Sequence, residues 1–224
     1  PTSRIYESCW EVIDEEVEQV AAKKRDKTGC IIYGPPGNGK TSLVKYFAVK
    51  YGMPVTIISF APEYTNQDIM YMFSQISDHS IVLLEDFDNY FDGRDCIIGL
   101  NPKGGNNMNI KFTFDSILNC LDGVYNTYEN VVFIMTANNI DRIDYALKNR
   151  PSRFKFVRKF DNPKMEIRQN LIGEWAAETE NLNLDQLMRL KESQEIGLTL
   201  QEAMAKLQPE RIPKVINWTH RLEN

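Results

Sequence analysis

GPPGNGKT, residues 34–41, fits the pattern G-x-x-x-x-G-K-[ST] at every fixed position. Gly34, Gly37 and Gly39 allow a tight turn in which successive backbone N–H groups point at phosphate oxygens. A helix starting at the end of the turn adds its positive N-terminus to the same anion. Lys40 is placed to reach β- and γ-phosphates, and Thr41 to put its hydroxyl on Mg²⁺. The flanks agree with this reading. CIIY (30–33) is a short apolar strand leading in, and Leu43 to Lys50 reads as the helix leading out.

Working outward, VTIIS (55–59), SIVLLED (80–86), VVFIMT (131–136) and Phe154–Phe160 read as further strands. They alternate with helical stretches at 67–76 and 114–121 and a turn at 145–148. Continuous apolar strands alternating with helices predict an α/β fold with a parallel five-stranded sheet covered on both faces. Upstream, Ser8–Arg25 reads as a helix. Ser8 and Glu11 form a capping box, acids crowd its start and bases its end. Residues 92–111 are rich in Gly and Asn and read as a loop. After Asp161-Asn162-Pro163 the strand signals stop, and helices are expected at 165–177, 184–190, 199–207 and 213–222, with Thr199 and Glu202 as a second capping box. The expected domains are an α/β nucleotide-binding domain over 1–160 and a small helical lid over 161–224.

Composition narrows the function. The 224 residues are 42% hydrophobic and 25% charged, with a formal net charge of −5. That balance disfavours a dedicated nucleic-acid coat, which is normally basic. No apolar run approaches the ~20 residues of a membrane span, and nothing resembles a signal peptide. The expected location is cytoplasmic, with a mitochondrial or membrane-attached one as the alternative if a segment before Pro1 is missing. Cys9, Cys30, Cys96 and Cys120 form no C-x-x-C pair, and the two histidines are far apart. Free thiols in a reducing compartment are the natural reading, not a zinc site.

Three further stretches carry chemistry. IVLLED (81–86) sets Glu85 and Asp86 at the C-terminal end of a strand, where open parallel sheets bind ligands. One carboxylate can hold Mg²⁺ through water and the other can deprotonate an attacking water. By alignment Glu85 takes the metal side and Asp86, one methylene shorter than a glutamate, the base role. Asp88 reads as a helix cap or loop contact. VVFIMTANN (131–139) ends a strand in amides, and Asn138 is the candidate to meet the γ-phosphate or the water. KNRPSRF (148–154) offers Arg150 and Arg153, two guanidiniums able to stabilise a phosphoryl group held by another subunit.

In this order GPPGNGKT, LLEDFD, TANNIDRIDYAL and NRPSRF resemble the Walker A, Walker B, sensor 1 and arginine-finger motifs of AAA ATPases. FTFDSILNCLDGV (112–124) and the Glu-Asp order bring the resemblance closest to the Bcs-type branch, AAA proteins of the mitochondrial inner membrane. It covers residues 27–160. The resemblance implies a P-loop AAA module that binds ATP and Mg²⁺. Nucleotide contacts would come from Gly34, Pro35, Pro36, Gly37, Asn38, Gly39, Lys40, Thr41 and Ser42, and metal contacts from Thr41, Glu85 and Asp86. It also implies a homo-oligomeric ring, a hexamer or heptamer, that hydrolyses ATP to remodel or move a macromolecule, often a protein.

Several positions depart from the family pattern. Ser152 replaces a usual Gly. Tyr64 in FAPEYTNQD (60–68) stands roughly where the pore residue would be, with packing as the alternative. Arg211 is the nearest candidate for a sensor 2 arginine. The Bcs-type membrane span and middle domain have no counterpart here, so movement of a folded protein across a membrane is not carried over. Two other readings stand beside an ATP-driven remodeller: a DNA-acting AAA module, and a nucleotide-gated scaffold with little turnover.

Overall fold

The computed structural model describes residues 11–96, 111–124 and 127–207. Ser8 of the first expected capping box, Arg211 and the helix expected at 213–222 lie outside these residues. The chain divides into two compact units, Pro1–Asn162 and Pro163–Asn224.

In the first unit, α1 (Glu11–Ala21) buries Ile13, Val17 and Val20, spaced one helical turn apart. It ends four residues earlier than the sequence suggests. Lys23 takes a left-handed φ of 57°, and the Lys24 N–H turns back to the Gln19 carbonyl, which closes the helix. Strand β1 (Lys27–Tyr33) leads into the phosphate loop and α2 (Lys40–Tyr51) leads out. Then follow β2 (Val55–Ile58), α3 (Asn66–Ser74) and β3 (Ile81–Leu84). Residues 92–96, expected within a loop, belong instead to a short antiparallel hairpin of β4 (Phe91–Asp92) and β5 (Asp95–Cys96). Helix α4 (Phe114–Asp122), β6 (Val131–Ala137), the single turn α5 (Tyr145–Lys148) and β7 (Phe156–Lys159) complete the unit.

The main sheet has five parallel strands in the order β2-β3-β6-β1-β7. Central strand β6 is buried along its whole length and β1 through its middle five residues, which is why both read as unbroken apolar runs. Alternate residues feed two apolar layers. Ile31, Val82, Leu84, Phe133 and Met135 pack with α3 and α4, while Ile32, Leu83, Val132 and Ile134 pack with α1 and α2. The strand order sets the ends of β3, β6 and β1 side by side. The acidic pair, the amide pair and the phosphate loop, far apart in sequence, therefore meet at one edge.

Gly29, within β1, marks a close approach. A Cβ there would lie 2.1 Å from the Arg153 carbonyl oxygen, so the arginine turn can press onto β1 only because the position lacks a side chain.

The second unit is helical. Helices α6 (Met165–Ile172), α7 (Leu184–Glu195) and α8 (Leu200–Leu207) gather Ile172, Leu187, Leu190 and Ala203 into a small core of their own. Thr199 and Glu202 exchange hydrogen bonds as a capping box at the start of α8.

Candidate functional site

The phosphate loop is held open from below. Gly34 has φ +145°, and a Cβ there would lie 2.0 Å from the Phe160 carbonyl oxygen, so only glycine fits. Asn38, almost fully buried, donates its amide to Asn162 Oδ1 at 3.0 Å and ties the loop to the chain after β7. Gly39 caps α2 with no side chain, in a left-handed turn, which leaves the first N–H groups of the helix facing outward to an anion.

Lys40 is buried, and its ammonium donates to the Gly34 carbonyl (2.8 Å), the Pro35 carbonyl (3.2 Å) and Asn138 Oδ1 (2.9 Å). Burial lowers its pKa, against the raising effect of Asp86 and Asp88. Thr41 Oγ1 donates to Glu85 Oε1 at 2.6 Å. Pro35, Pro36 and Gly37 form the loop itself, and Ser42 is exposed on the first turn of α2.

The acidic edge follows β3. Asp86 sits in the left-handed region (φ 46°, ψ 50°) and its N–H donates to Thr136 Oγ1 at 2.9 Å. This left-handed residue follows the end of the β3 ladder at Leu84. Burial raises the Asp86 pKa. Lys40 opposes that shift, while Glu85 and Asp88 add to it. Asp88 is only 3% exposed and faces β6, where it accepts hydrogen bonds from the Asn138 and Asn139 N–H groups. The sequence offers Asp88 as a helix cap or loop contact, and the contact it makes is with the backbone at the end of β6.

The two arginines separate. Arg153, expected to reach a neighbouring phosphate, is instead 5% exposed and locked within its own chain. Its Nε and Nη2 grip both oxygens of Asp122 at 2.8 and 2.9 Å, and Nη1 donates to the Ala146 carbonyl at 2.9 Å. Arg150 is 57% exposed and touches Asp122 through a single 3.3 Å contact. Asp122, the last residue of α4, was not singled out in the sequence. Its only signal is the Asp-Gly helix end. Tyr64 is partly buried and packs against the apolar core, which favours the packing reading over the pore.

These residues fit a nucleoside triphosphate with its metal. A cationic Nζ lies inside a loop of backbone carbonyls, below an uncapped helix start. The Thr41 hydroxyl and Glu85 carboxylate, already in contact, are the hard oxygen donors that Mg²⁺ prefers, with water and phosphate completing its shell.

Comparison with known proteins agrees. The description "ATPase family associated with various cellular activities (AAA)" matches residues 30–162. The chain belongs to the AAA family. It is an ATPase of that family, which works on ATP with Mg²⁺. Among curated proteins it is similar to "Mitochondrial chaperone BCS1" of Danio rerio, 37% identical over 128 residues, 57% of this chain and 30% of that protein. The Bos taurus protein of the same name is 35% identical over 153 residues, 68% of this chain and 36% of that one. "Probable mitochondrial chaperone bcs1" of Schizosaccharomyces pombe is 34% identical over 128 residues, 57% and 27%. The chain thus spans about a third of the length of these relatives. The Bcs-type resemblance is borne out. Among the described residues no helix is long and apolar enough to cross a membrane. The relatives' names refer to mitochondria and lend no support to the cytoplasmic expectation.

Proposed function

We propose that this chain is the motor of a homo-oligomeric ring, a hexamer or heptamer, that couples ATP hydrolysis to remodelling of a protein partner. Residues 1–160 carry the nucleotide and 161–224 form the lid. The observation that carries the reading is the meeting of Lys40 with Asn138 and of Thr41 with Glu85 at one sheet edge, while Arg150 stays exposed with a single contact to Asp122. The name chaperone, which the relatives bear, supports a protein partner over DNA, as does the net charge of −5.

In this reading the backbone N–H groups after Gly34 and the start of α2 bind the phosphates, and Lys40 neutralises their charge. Thr41 and Glu85 hold Mg²⁺, which when bound withdraws charge from the phosphate oxygens. Asp86 takes the proton of the attacking water. Asn138 orients that water or the γ-phosphate. Arg150 reaches the phosphate of an adjacent subunit, and Arg153 holds the turn from which it reaches.

Mixing tests the ring. Lys40→Ala chains and Arg150→Ala chains, each inactive alone, regain partial phosphate release when combined, because some interfaces pair an intact loop with an intact arginine. No rescue in a sample shown by light scattering to form rings would remove the assignment between subunits.

A further inference from the structure

The geometry points to Asp88 as a positioning residue for hydrolysis, a carboxylate that holds Asn138 in place. The inference rests on the proposed role of Asn138.

Asp88 lies in a single 3₁₀ turn (Phe87–Asn89) just after the acidic pair. The parallel pairing of β3 with β6 ends at Leu84 and Met135. Beyond that point no β3 ladder bond aligns the β6 backbone, yet Asn138 sits three residues farther on. On its other side β6 stays paired with β1 up to Ala137, where the Gly34 N–H meets the Ala137 carbonyl at 3.1 Å, and Asp88 supplies the alignment on the β3 side. Its Oδ1 and Oδ2 lie 3.0 and 3.1 Å from the Asn138 N–H, and its Oδ2 lies 2.8 Å from that of Asn139. A carboxylate is an acceptor only, so both oxygens can face two donors without conflict. The backbone so fixed directs Asn138 Oδ1 onto Lys40 Nζ at 2.9 Å.

The turn carrying Asp88 is itself anchored on both sides. Asp86 N–H is tied to Thr136 Oγ1 on β6. Phe87 is fully buried, stacked on Phe91 with ring centroids 5.0 Å apart and edge-on to Phe60 at 5.8 Å. The carboxylate thus stands on a rigid support and reaches across to the residue whose side-chain amide meets the phosphate-loop lysine. Buried this deeply, it would carry a heavy desolvation cost without those two N–H donors. A misplacement of about 1 Å in such a group costs on the order of 10²-fold in rate.

A double-mutant cycle on the whole chain tests this. Asp88→Asn keeps the shape but turns one acceptor into a donor facing an N–H. It should lower kcat by about 10-fold or more while the Kd for ATP stays within about threefold. In an Asn138→Ala background, where there is no amide left to aim, the same change should cost less than about threefold. Hydrogen exchange at the Asn138 and Asn139 amides should accelerate in Asp88→Asn, a readout that needs no turnover.

Should Asp88→Asn fail to fold, Asp88→Glu replaces it. That variant keeps charge and acceptors but displaces them by one methylene, and it should show the same dependence on Asn138. Equal losses of kcat in both backgrounds, or unchanged exchange at both amides, would overturn the inference. If Asn138→Ala alone leaves turnover intact, it is the role of Asn138 that fails, and the inference falls with it.

Discussion

Removing Arg153 should unfold the protein more readily, while removing Arg150 should silence it without unfolding it. In Arg153→Ala three hydrogen bonds disappear, two of them to the carboxylate of Asp122. Deleting one partner of a buried ion pair costs about 3–5 kcal/mol. Asp122 retains 18% exposure and its contact with Arg150, and Lys27 lies close enough to feel its charge. The lower end, about 3 kcal/mol, is therefore expected. For a chain of this size each kcal/mol moves the melting temperature by roughly 2–4 °C, so Tm should fall by about 6–12 °C. Arg153→Lys should recover less than half, because a single ammonium cannot span both oxygens.

Arg150 makes one exposed contact, worth about 0–1 kcal/mol, so Arg150→Ala should melt within about 4 °C of the parent. Its turnover in the assembled state should nevertheless fall by about 10³-fold. Calorimetry and phosphate release on the same samples decide the matter. An Arg153→Ala protein that melts within about 2 °C of the parent yet loses turnover, beside an active Arg150→Ala, would refute the reasoning. Arg153 would then have to leave its pocket and act as the finger.

Four other outcomes follow from the site and the sheet. Asp86→Asn should bind ATP with Mg²⁺ but lose turnover by about 10²-fold or more, whereas Glu85→Gln should weaken the dependence on Mg²⁺. In the parent, activity should fall as pH is lowered, on an acidic limb shifted upward from that of an ordinary aspartate, since burial raises the Asp86 pKa and only the ionised form accepts a proton. The folded state holds that proton more tightly than the unfolded chain, so this group lowers stability as pH rises through its raised value. Asp86→Asn should therefore melt no lower than the parent at neutral pH. Gly29→Ala should destabilise by about 1–3 kcal/mol or more, measured by denaturant titration, because its Cβ would meet the Arg153 carbonyl. Cys30 and Cys120, whose thiols are pushed up to about 12 and about 11 by burial, should resist alkylation in the native protein, as mass spectrometry of digested samples will show.

What the sequence made legible is what depends on spacing along the chain. The phosphate loop, the acidic strand end and the amide pair were readable because each is a contiguous string. The alternation of strands and helices then fixed which ends lie at one edge. Helix α1 and the 91–96 hairpin were misjudged at their limits because a left-handed Lys23 and a two-residue pairing leave no periodic mark. Asp88 and Asp122 escaped for another reason. Each does its work on a partner 31 to 51 positions away, and neither stands in a pattern that a local reading could separate from an ordinary cap.

The arginine pair shows why that distinction matters for function. In sequence Arg150 and Arg153 are equivalent, two guanidiniums around a Pro-Ser turn. Folding makes them unequal through Asp122, which takes one arginine in both oxygens and the other at arm's length. A residue that must reach a neighbour has to be exposed, and an exposed turn must be fastened by something buried. Arg153 fastens it with charge-assisted bonds on one side. On the other its carbonyl rests on β1 at Gly29, the same strand that ends in the phosphate loop. A neighbour engaging Arg150 would thus press on a turn seated directly against the strand that carries this subunit's own nucleotide site.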